Sequence, residues 1–407
     1  MTFASAFDPG SLAPQDARPV PALALERLSL REFRSYREAA IEIDARPVVL
    51  TGPNGAGKTN LLEAISFLAP GRGLRRARLL EVERRPVGPE AVPPAGPWAV
   101  AARVAGGPAG RVEIGTGRDG EAEAERRLVK IDGQFQRGQS ALAAHMALVW
   151  LTPQMDRIFQ DGASERRRFL DRMVYGFDPD HAGRLNAYDH ALRERARLLQ
   201  GAVAAPGTTV WLDGLEEQLA ALGVAIAAAR RDLLRRLEAA AAGGFGPFPA
   251  AGLGLEGALE ASLGAMPALE AEEELRAAFA ASRRLDAETG GARQGPHRSD
   301  LAVRHLGRGR PARDCSTGEQ KSLLIAILLA FARALGAERG TVPILLLDEV
   351  AAHLDEGRRH ALYAELRALR AQAWLTGTDA GLFAGLGDQA QFFAVEDGRL
   401  ATLRPPH

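Results

Sequence analysis

A glycine-rich stretch between a strand-like and a helix-like segment constrains the fold of this chain more than any other feature. Residues 52–59 read Gly-Pro-Asn-Gly-Ala-Gly-Lys-Thr and fit the pattern G-x-x-x-x-G-K-[ST]. The apolar run 47–50 precedes this stretch, and residues 61–65 read as the opening of a helix. Strand, glycine loop and helix in this order predict a phosphate-binding loop in an α/β fold. The alternative is a glycine-rich surface turn.

The residue types in this loop match the chemistry of a nucleoside triphosphate with Mg²⁺. Glycines let the backbone aim its N–H groups at phosphate oxygens, and a helix N-terminus favours the same anion. We expect Lys58 to reach the β- and γ-phosphates and Thr59 to ligate Mg²⁺. The chain has only three lysines, so a lysine at this position favours a phosphate site. The predicted ATP-binding residues are Gly52, Pro53, Asn54, Gly55, Ala56, Gly57, Lys58, Thr59 and Asn60.

A second segment, far downstream, supplies two carboxylates at the end of an apolar run. Residues 342–347 are apolar, as expected of a strand that is buried on both faces of a parallel sheet, and Asp348 and Glu349 follow them. We expect Asp348 to bind Mg²⁺ and Glu349 to orient or deprotonate the attacking water. Either acid alone could be an ordinary cap at a strand end. Together with Lys58 they predict a site for ATP hydrolysis.

A third segment predicts the start of a long apolar helix. Ser316 has the chemistry of an N-cap, and Glu319 would complete a capping box. A helix start with no further role is the alternative. The position shortly before the acidic strand, and a glycine at 318 that lets phosphate approach the backbone, favour a nucleotide contact. We expect Ser316 and Gly318 to contact the nucleotide of a second copy of the chain.

The three segments together resemble the ATP-binding-cassette class and, in detail, the RecF family. The matching stretches run in family order: residues 28–36, 51–65, 151–156, 165–171 and 295–300, and the two segments above. This resemblance implies an ATP-dependent DNA clamp that acts at single-strand gaps with RecO and RecR partners and helps to load recombinase. Slow hydrolysis would release the DNA. The helical insert is short, which favours this family over break-repair heads with long coiled coils. The 348 − 58 = 290 residues between Lys58 and Asp348 favour it over transporter ATPases, whose third segment lies closer to the glycine loop. Both classes remain the alternatives.

The resemblance also implies roles for single residues. Gln154 matches a sensor glutamine that links Mg²⁺ to the helical lobe and would assist catalysis. Gln320 and Asp355 are expected to contact the partner's site across a dimer interface, and Thr378 lies in the switch segment after the last core strand. Two positions depart from the family pattern: Thr317 stands where a second glycine is usual, and Ser299 where an acid is common.

Composition limits the class of protein and its partners. The 407 residues, 46% hydrophobic and 25% charged, are typical of a globular protein, and one cysteine, Cys315, excludes an internal disulfide. Neither a signal peptide nor a membrane span is recognised, so a cytoplasmic protein without a membrane partner is expected. The net charge of +0 argues against a uniformly basic nucleic-acid binder. A local patch is expected to contact DNA, as an alternative to a solvated face: Arg72, Arg75, Arg76 and Arg78.

Clustered aromatic residues for base stacking are absent from the sequence, which favours the backbone of gapped DNA or a single-strand to double-strand junction as ligand. A linear single strand is the lesser alternative.

The periodicity predicts an α/β fold of the ATP-binding-cassette type, with a mixed sheet, an antiparallel β subdomain, and a helical lobe carrying a short coiled-coil-like hairpin. Residues 98–104, 111–115 and 126–132 alternate as an antiparallel meander does. Apolar residues from Leu212 to Leu233 step by three and four, and a second seam runs from Leu275 to Leu285. The predicted division is a disordered extension (1–21), an ATPase lobe (22–140 and 293–407) and a helical lobe (141–292).

Overall fold

The computed structural model describes residues 23–85, 94, 96–107, 110–120, 126–201 and 207–406, apart from the side chain of His353. The predicted N-terminal extension lies outside the described residues. The strands are β1 (Ala24–Phe33), β2 (Tyr36–Glu42), β3 (Val48–Thr51), β4 (Ala99–Gly107), β5 (Gly110–Arg118), β6 (Arg127–Ile131), β7 (Gln134–Phe135), β8 (Leu148–Leu151), β9 (Ala251–Glu256), β10 (Asp300–His305), β11 (Arg310–Pro311), β12 (Ile344–Leu347), β13 (Ala373–Gly377), β14 (Gln391–Glu396) and β15 (Arg399–Leu403). The helices are α1 (Lys58–Ser66), α2 (Ala163–Phe177), α3 (His181–Gln200), α4 (Thr208–Ala241), α5 (Ala258–Ala265), α6 (Ala268–Thr289), α7 (Thr317–Arg339) and α8 (Glu356–Leu369).

A mixed central sheet with the strand order β15-β14-β3-β13-β12-β8 organises the molecule. Its strands pair in parallel, except that β15 runs antiparallel to β14. Leu345 and Leu347 face a core formed with α2, α4, α7 and α8, whereas Ile344 and Leu346 face α1 and a second sheet. Because both faces are covered, β12 is a continuous apolar run. The carboxyl end of β12 therefore lies at the same edge of the sheet as the carboxyl ends of its parallel neighbours, β8 and β13.

The second sheet is antiparallel, with the order β2-β1-β4-β5-β6-β7. It contains the predicted meander as β4, β5 and β6, which pair in sequence. Residues 23–45 alternate as edge strands do, but β1 lies inside the sheet between β2 and β4. The alternation reflects one buried and one exposed face, which an inner strand of an antiparallel sheet also has.

The helical lobe contains the predicted hairpin, α4 against α6, with α3 packed alongside both. On α6 the inward side differs from the predicted seam: Leu285 is exposed and Asp286 is buried. Arg195 of α3 explains this, because it donates to Glu216 of α4 at 2.9 Å and to Asp286 of α6 at 2.8 Å. A buried ion triad thus fixes the three helices relative to one another.

The start of the helical lobe, placed at residue 141 by sequence, precedes a strand of the central sheet. β8 pairs in parallel with β12, and the helices of the lobe begin only with α2 at Ala163. β8 was missed because a four-residue apolar run has too little periodicity to separate a buried strand from a helix. β9 also falls within the predicted helical segment and pairs with β10 in a small third sheet.

By its length and composition alone, the apolar helix α7 could cross a membrane. However, 89% of its most apolar window is buried inside the protein. A helix that is apolar all round and covered by other elements is a core helix. It packs on the central sheet and carries Ser316 at its N-terminal end.

Candidate nucleotide site

The glycine loop lies between β3 and α1, and its backbone needs glycine at two close approaches. Gly52 and Gly57 have φ values of 149° and 116°. A Cβ atom at Gly52 would lie 2.2 Å from the carbonyl oxygen of Val395, and one at Gly57 would lie 2.8 Å from Oγ of Ser35. The loop is therefore held tightly against β14 and the β1–β2 turn. This geometry leaves the first N–H groups of α1 for a phosphate.

Lys58, the first residue of α1, is held within the loop. Its Nζ donates to the carbonyl oxygens of Gly52 at 2.7 Å and Pro53 at 2.8 Å. Burial lowers the pKa of Lys58, while the carboxylates of Glu349 and Asp348 act to raise it. The Lys58 ammonium is thus close enough to Asp348 and Glu349 to interact with their charges. A site for a triphosphate and a metal ion requires these groups to lie close together.

Thr59 and Asp348, which are 289 residues apart in sequence, are in direct contact. The Thr59 hydroxyl donates to both carboxylate oxygens of Asp348 at 3.0 Å. Burial raises the pKa of Asp348, and hydrogen bonds from Thr376 and Thr59 oppose the rise. A hydroxyl and a carboxylate are the oxygen ligands that Mg²⁺ prefers, with phosphate oxygens completing the shell. These two residues fit the metal that the motif implies.

Thr376 is a site residue that sequence reasoning missed. This fully buried residue of β13 donates its hydroxyl hydrogen to Asp348 Oδ1 at 2.7 Å and accepts from the N–H of Glu349 at 2.9 Å. The latter bond holds Glu349, whose φ is 51°. A threonine in an otherwise apolar buried strand was the available signal. The predicted switch residue, Thr378, is exposed beyond the end of the strand.

We expect Thr376→Val to lower ATP turnover roughly tenfold to a hundredfold, because a buried N–H loses its partner and the two acids lose their alignment. Unfolding free energy should fall by about 1–3 kcal/mol for the same reason. Steady-state phosphate release and urea denaturation measure the two effects. Thr376→Ser keeps the hydroxyl and should retain most of the turnover. Equal turnover in Thr376→Val and wild type would exclude a positioning role.

Gln154 leaves the sheet at the same edge as Asp348. β8 pairs with β12 through Leu151 and Leu347, and Gln154 is exposed in the 3-10 turn Pro153–Arg157 that follows β8. Its side chain makes no hydrogen bond within the described part of the chain. It lines a cavity of about 690 Å³ that also reaches Arg75 and Arg168. The placement is compatible with the predicted sensor role, which stays a prediction.

The N-terminal end of α7 is exposed and surrounded by cations. Ser316 and Glu319 form the predicted capping box, and no atom comes within 4 Å of a Cβ built at Gly318. Hydrogen bonds from the backbone and hydroxyl of Ser316, with help from Arg310, lower the pKa of Glu319 to about 2. Arg308 lies 3.2 Å from the same carboxylate. The helix end is open to an anion from outside this chain.

The two remaining residues expected at a dimer interface differ in position. Gln320 is fully buried, and its Nε2 donates to the carbonyl oxygen of Cys315 at 2.8 Å. Gln320 thus lies on the inward side of α7, which packs in the core, and its contact with a partner's nucleotide stays a prediction. Asp355 caps α8 through the N–H of Arg358 at 2.8 Å, and its side chain is 59% exposed.

The predicted arginine patch is divided by its ion pairs. Arg75 donates to Asn60 at 2.6 Å and to the buried Glu63 at 3.0 Å, beside the glycine loop. Arg76 pairs with Glu165 at 2.9 Å. Arg72 and Arg78 are exposed, with no carboxylate partner among the described residues. The four arginines do not form one free cationic face, because Arg75 and Arg76 are each held by a carboxylate that they share with a second arginine.

A large cavity opens beside the glycine loop on the side of the β1–β2 turn. Its volume is about 890 Å³, and Arg34, Ser35, Asn60 and Arg75 are among its lining residues. Arg34 and Arg75 both hold Glu63, and Asn60 donates to Ser35 at 2.9 Å. The cavity is large enough for the nucleoside of a triphosphate bound at the loop.

Comparisons with known proteins agree with this architecture. The family model described as the RecF/RecN/SMC N terminal domain matches residues 24–400. The DNA replication and repair protein RecF of Allorhizobium ampelinum is 47% identical over 380 residues, with 93% of this chain and 98% of the relative covered. RecF of Mesorhizobium japonicum is 48% identical over 377 residues, with 92% and 96% covered.

Solved structures share the fold at lower sequence identity. The structure of the recombination mediator protein RecF-ATP in the RecFOR pathway superposes with a TM-score of 0.78 at 23% identity, covering 94% of this chain and 100% of that one. The Smc head domain from Pyrococcus furiosus gives 0.52 at 18% identity, with 94% and 96% covered. The α/β architecture of an ATPase head is thus common to all of them, and the chain belongs to the RecF family of DNA replication and repair proteins.

Proposed function

We propose that two copies of this chain close on two molecules of ATP with Mg²⁺, and that the closed pair holds DNA. Hydrolysis of ATP separates the copies and releases the DNA. The catalysis is weak ATP hydrolysis that DNA stimulates. In each site Lys58 and Thr59 of one copy act with Ser316 and Gly318 of the other.

One observation carries this proposal: the chain brings half of the site together and leaves the other half exposed. The Thr59–Asp348 contact assembles the phosphate loop and the acidic strand end within one copy. At the N-terminal end of α7, Gly318 is uncovered, and the two cations Arg308 and Arg310 lie beside a single carboxylate, that of Glu319. In a dimer with twofold symmetry, the α7 end of each copy would face the phosphate loop of the other, because such an interface is self-complementary.

The residues of one copy divide the chemistry among them. Thr59 and Asp348 would hold Mg²⁺, with Gln154 at the same sheet edge, and the bound ion would neutralise charge on the phosphates. Lys58 binds the phosphate oxygens. Glu349 orients the attacking water and accepts its proton, held in place by Thr376. Positioning by fixed groups accounts for most of the rate enhancement in phosphoryl transfer.

The partners follow from family membership. RecF relatives are DNA replication and repair proteins, and one solved RecF structure is placed in the RecFOR pathway. We infer that this chain acts on gapped DNA or at single-strand to double-strand junctions with RecO- and RecR-type proteins, in the cytoplasm. A linear single strand is the weaker ligand, because the described surface offers few exposed aromatic rings for stacking.

The test measures DNA binding and phosphate release together. Fluorescence anisotropy with gapped, blunt and single-stranded DNA, with and without ATP, should give tighter binding with ATP and the tightest with gapped DNA. Phosphate release should rise when DNA is added. A membrane-transporter subunit would be indifferent to DNA in both assays, and a purely structural head would bind ATP without release. Either of those results would overturn the proposal.

A further inference from the structure

Two arginine-bearing stretches that the nucleotide site does not use meet in the fold. They are residues 165–171, in the first half of α2, and residues 295–300, which lead into β10. Arg166 pairs with Asp300 through two hydrogen bonds of 2.7 Å, and Arg167 donates to the carbonyl oxygen of Ser299 at 2.6 Å. The segment is thus fixed on α2, although more than one hundred residues separate them.

A cavity of about 380 Å³ lies where these stretches face the loop after α1. Its cationic side chains outnumber the acids that could neutralise them. The arginines that line it are Arg72, Arg76, Arg167, Arg168, Arg172 and Arg230.

The two acids that line the cavity do not balance this charge. Asp171 is already engaged: burial would raise its pKa, but Arg230 and His181 lower it to about 2. Asp189 supplies only one negative charge, against six arginines. Glu165 serves Arg76 and Arg168. Arg72, Arg167 and Arg172 have no carboxylate partner among the described residues.

Arg172 gives an independent sign that the cavity accepts an anion. Its guanidinium lies 3.2 Å from the centre of the Trp150 ring, and its Nη1 is buried with no hydrogen-bond partner. Burial, together with the nearby Arg168 and Arg76, lowers the pKa of Arg172 to about 9. A buried unpaired N–H of a charged group is costly. Because Arg172 lines the cavity, an anion there would offset this cost through the opposite charge.

We propose that this cavity binds a backbone phosphate of DNA through Arg72, Arg167 and Arg172. The inference rests on the proposed DNA binding and names the surface that performs it. Tyr175, which also lines the cavity and is partly exposed, offers ring surface to the adjacent deoxyribose. Such a contact positions the backbone without reading bases, so affinity should depend on salt and little on sequence.

The cavity also adjoins the nucleotide site. Arg76, Arg168 and Arg172 line both this cavity and the neighbouring one that contains Gln154. A phosphate bound at Arg172 would therefore be separated from Gln154 by the side chains that line both cavities.

The experiment compares Arg72→Gln and Arg172→Gln with a control, Arg284→Gln. Arg284 lies on α6 and is 94% exposed. DNA affinity is measured by anisotropy across a range of salt concentrations with ATP present. Each cavity variant should bind DNA roughly tenfold more weakly, and the slope of log K against log salt should fall by about one. The control should match wild type. Arg72 is exposed and its side chain has no partner in the part of the chain that the structure describes, so its replacement should not act through unfolding.

A second arm identifies the source of the phosphate. Thermal stabilisation by inorganic phosphate is measured in a Lys58→Ala background, where the glycine loop contributes least. If the cavity variants lose phosphate stabilisation but bind DNA as wild type does, the cavity takes a small anion and the DNA assignment is overturned. Unchanged DNA affinity and salt slope in both variants overturn it as well. If wild type itself fails to bind DNA, the proposed function is wrong, independently of the cavity.

Discussion

Glu349→Gln should lower ATP turnover at least about a hundredfold while ATP still drives dimerisation. A general base contributes roughly 10²–10⁴ to the rate, and glutamine cannot accept the proton of the attacking water. Single-turnover hydrolysis with labelled ATP measures the loss, and sedimentation velocity with ATP measures the dimer.

The physical reason lies in the charges around Lys58. Glu349 lies close enough to affect the pKa of Lys58, so its carboxylate also repels a bound triphosphate. Removal of this negative charge should leave ATP affinity intact or increase it. The N–H of Glu349 donates to Thr376, and this backbone contact is kept in the variant. Binding and hydrolysis should therefore separate cleanly.

Glu356→Gln is the matched control, because Glu356 is an 80% exposed glutamate in the first turn of α8. It should hydrolyse ATP as wild type does. Wild-type turnover in Glu349→Gln would remove Glu349 from the mechanism. A monomeric Glu349→Gln protein in saturating ATP would instead contradict the shared sites.

Mixing two inactive variants should restore activity if each site is built from two copies. Lys58→Ala damages the phosphate loop and leaves Ser316 intact, whereas Ser316→Arg damages the helix end and leaves the loop intact. In a mixed dimer the intact loop of one copy meets the intact helix end of the other. An equimolar mixture should recover about a quarter of wild-type turnover, since half of the dimers carry one good site each.

The structure suits this test because Ser316 is exposed. Its hydroxyl and N–H contact Glu319, three residues further on, so replacement should leave the core of α7 undisturbed. Arginine at this position adds bulk and a charge where the partner's nucleotide would bind. Turnover by the mixture is measured over a range of total protein concentrations.

Three outcomes separate the possibilities. Recovery that rises with protein concentration supports sites shared between copies. If either variant alone is fully active, its residue is not required; if both are inactive and the mixture stays inactive, each site lies within one chain. Mixing Lys58→Ala with Glu349→Gln serves as the control. Both changes lie in the same half of the site, so no mixed dimer contains an active combination.

Local patterns predicted the elements around the nucleotide but not their partners in space. The glycine loop, the apolar strand before Asp348 and the capping box at Ser316 each follow from spacing within a few residues. Thr376 was missed because its role depends on strand order: β13 lies next to β12 only in the folded sheet. The burial of Gln320 depends likewise on which face of α7 meets the core.

The sequence by itself determined the phosphate loop, the acidic strand end and the family, because these depend on residue types at fixed short spacings. The tertiary structure decided which distant groups touch: Asp348 with Thr59 and Thr376, and α2 with the segment before β10. It also decided which arginines are free, since an ion pair such as Arg166 with Asp300 neutralises a charge that composition counts as available. Contacts across hundreds of residues come from packing and strand order, and no local pattern records them.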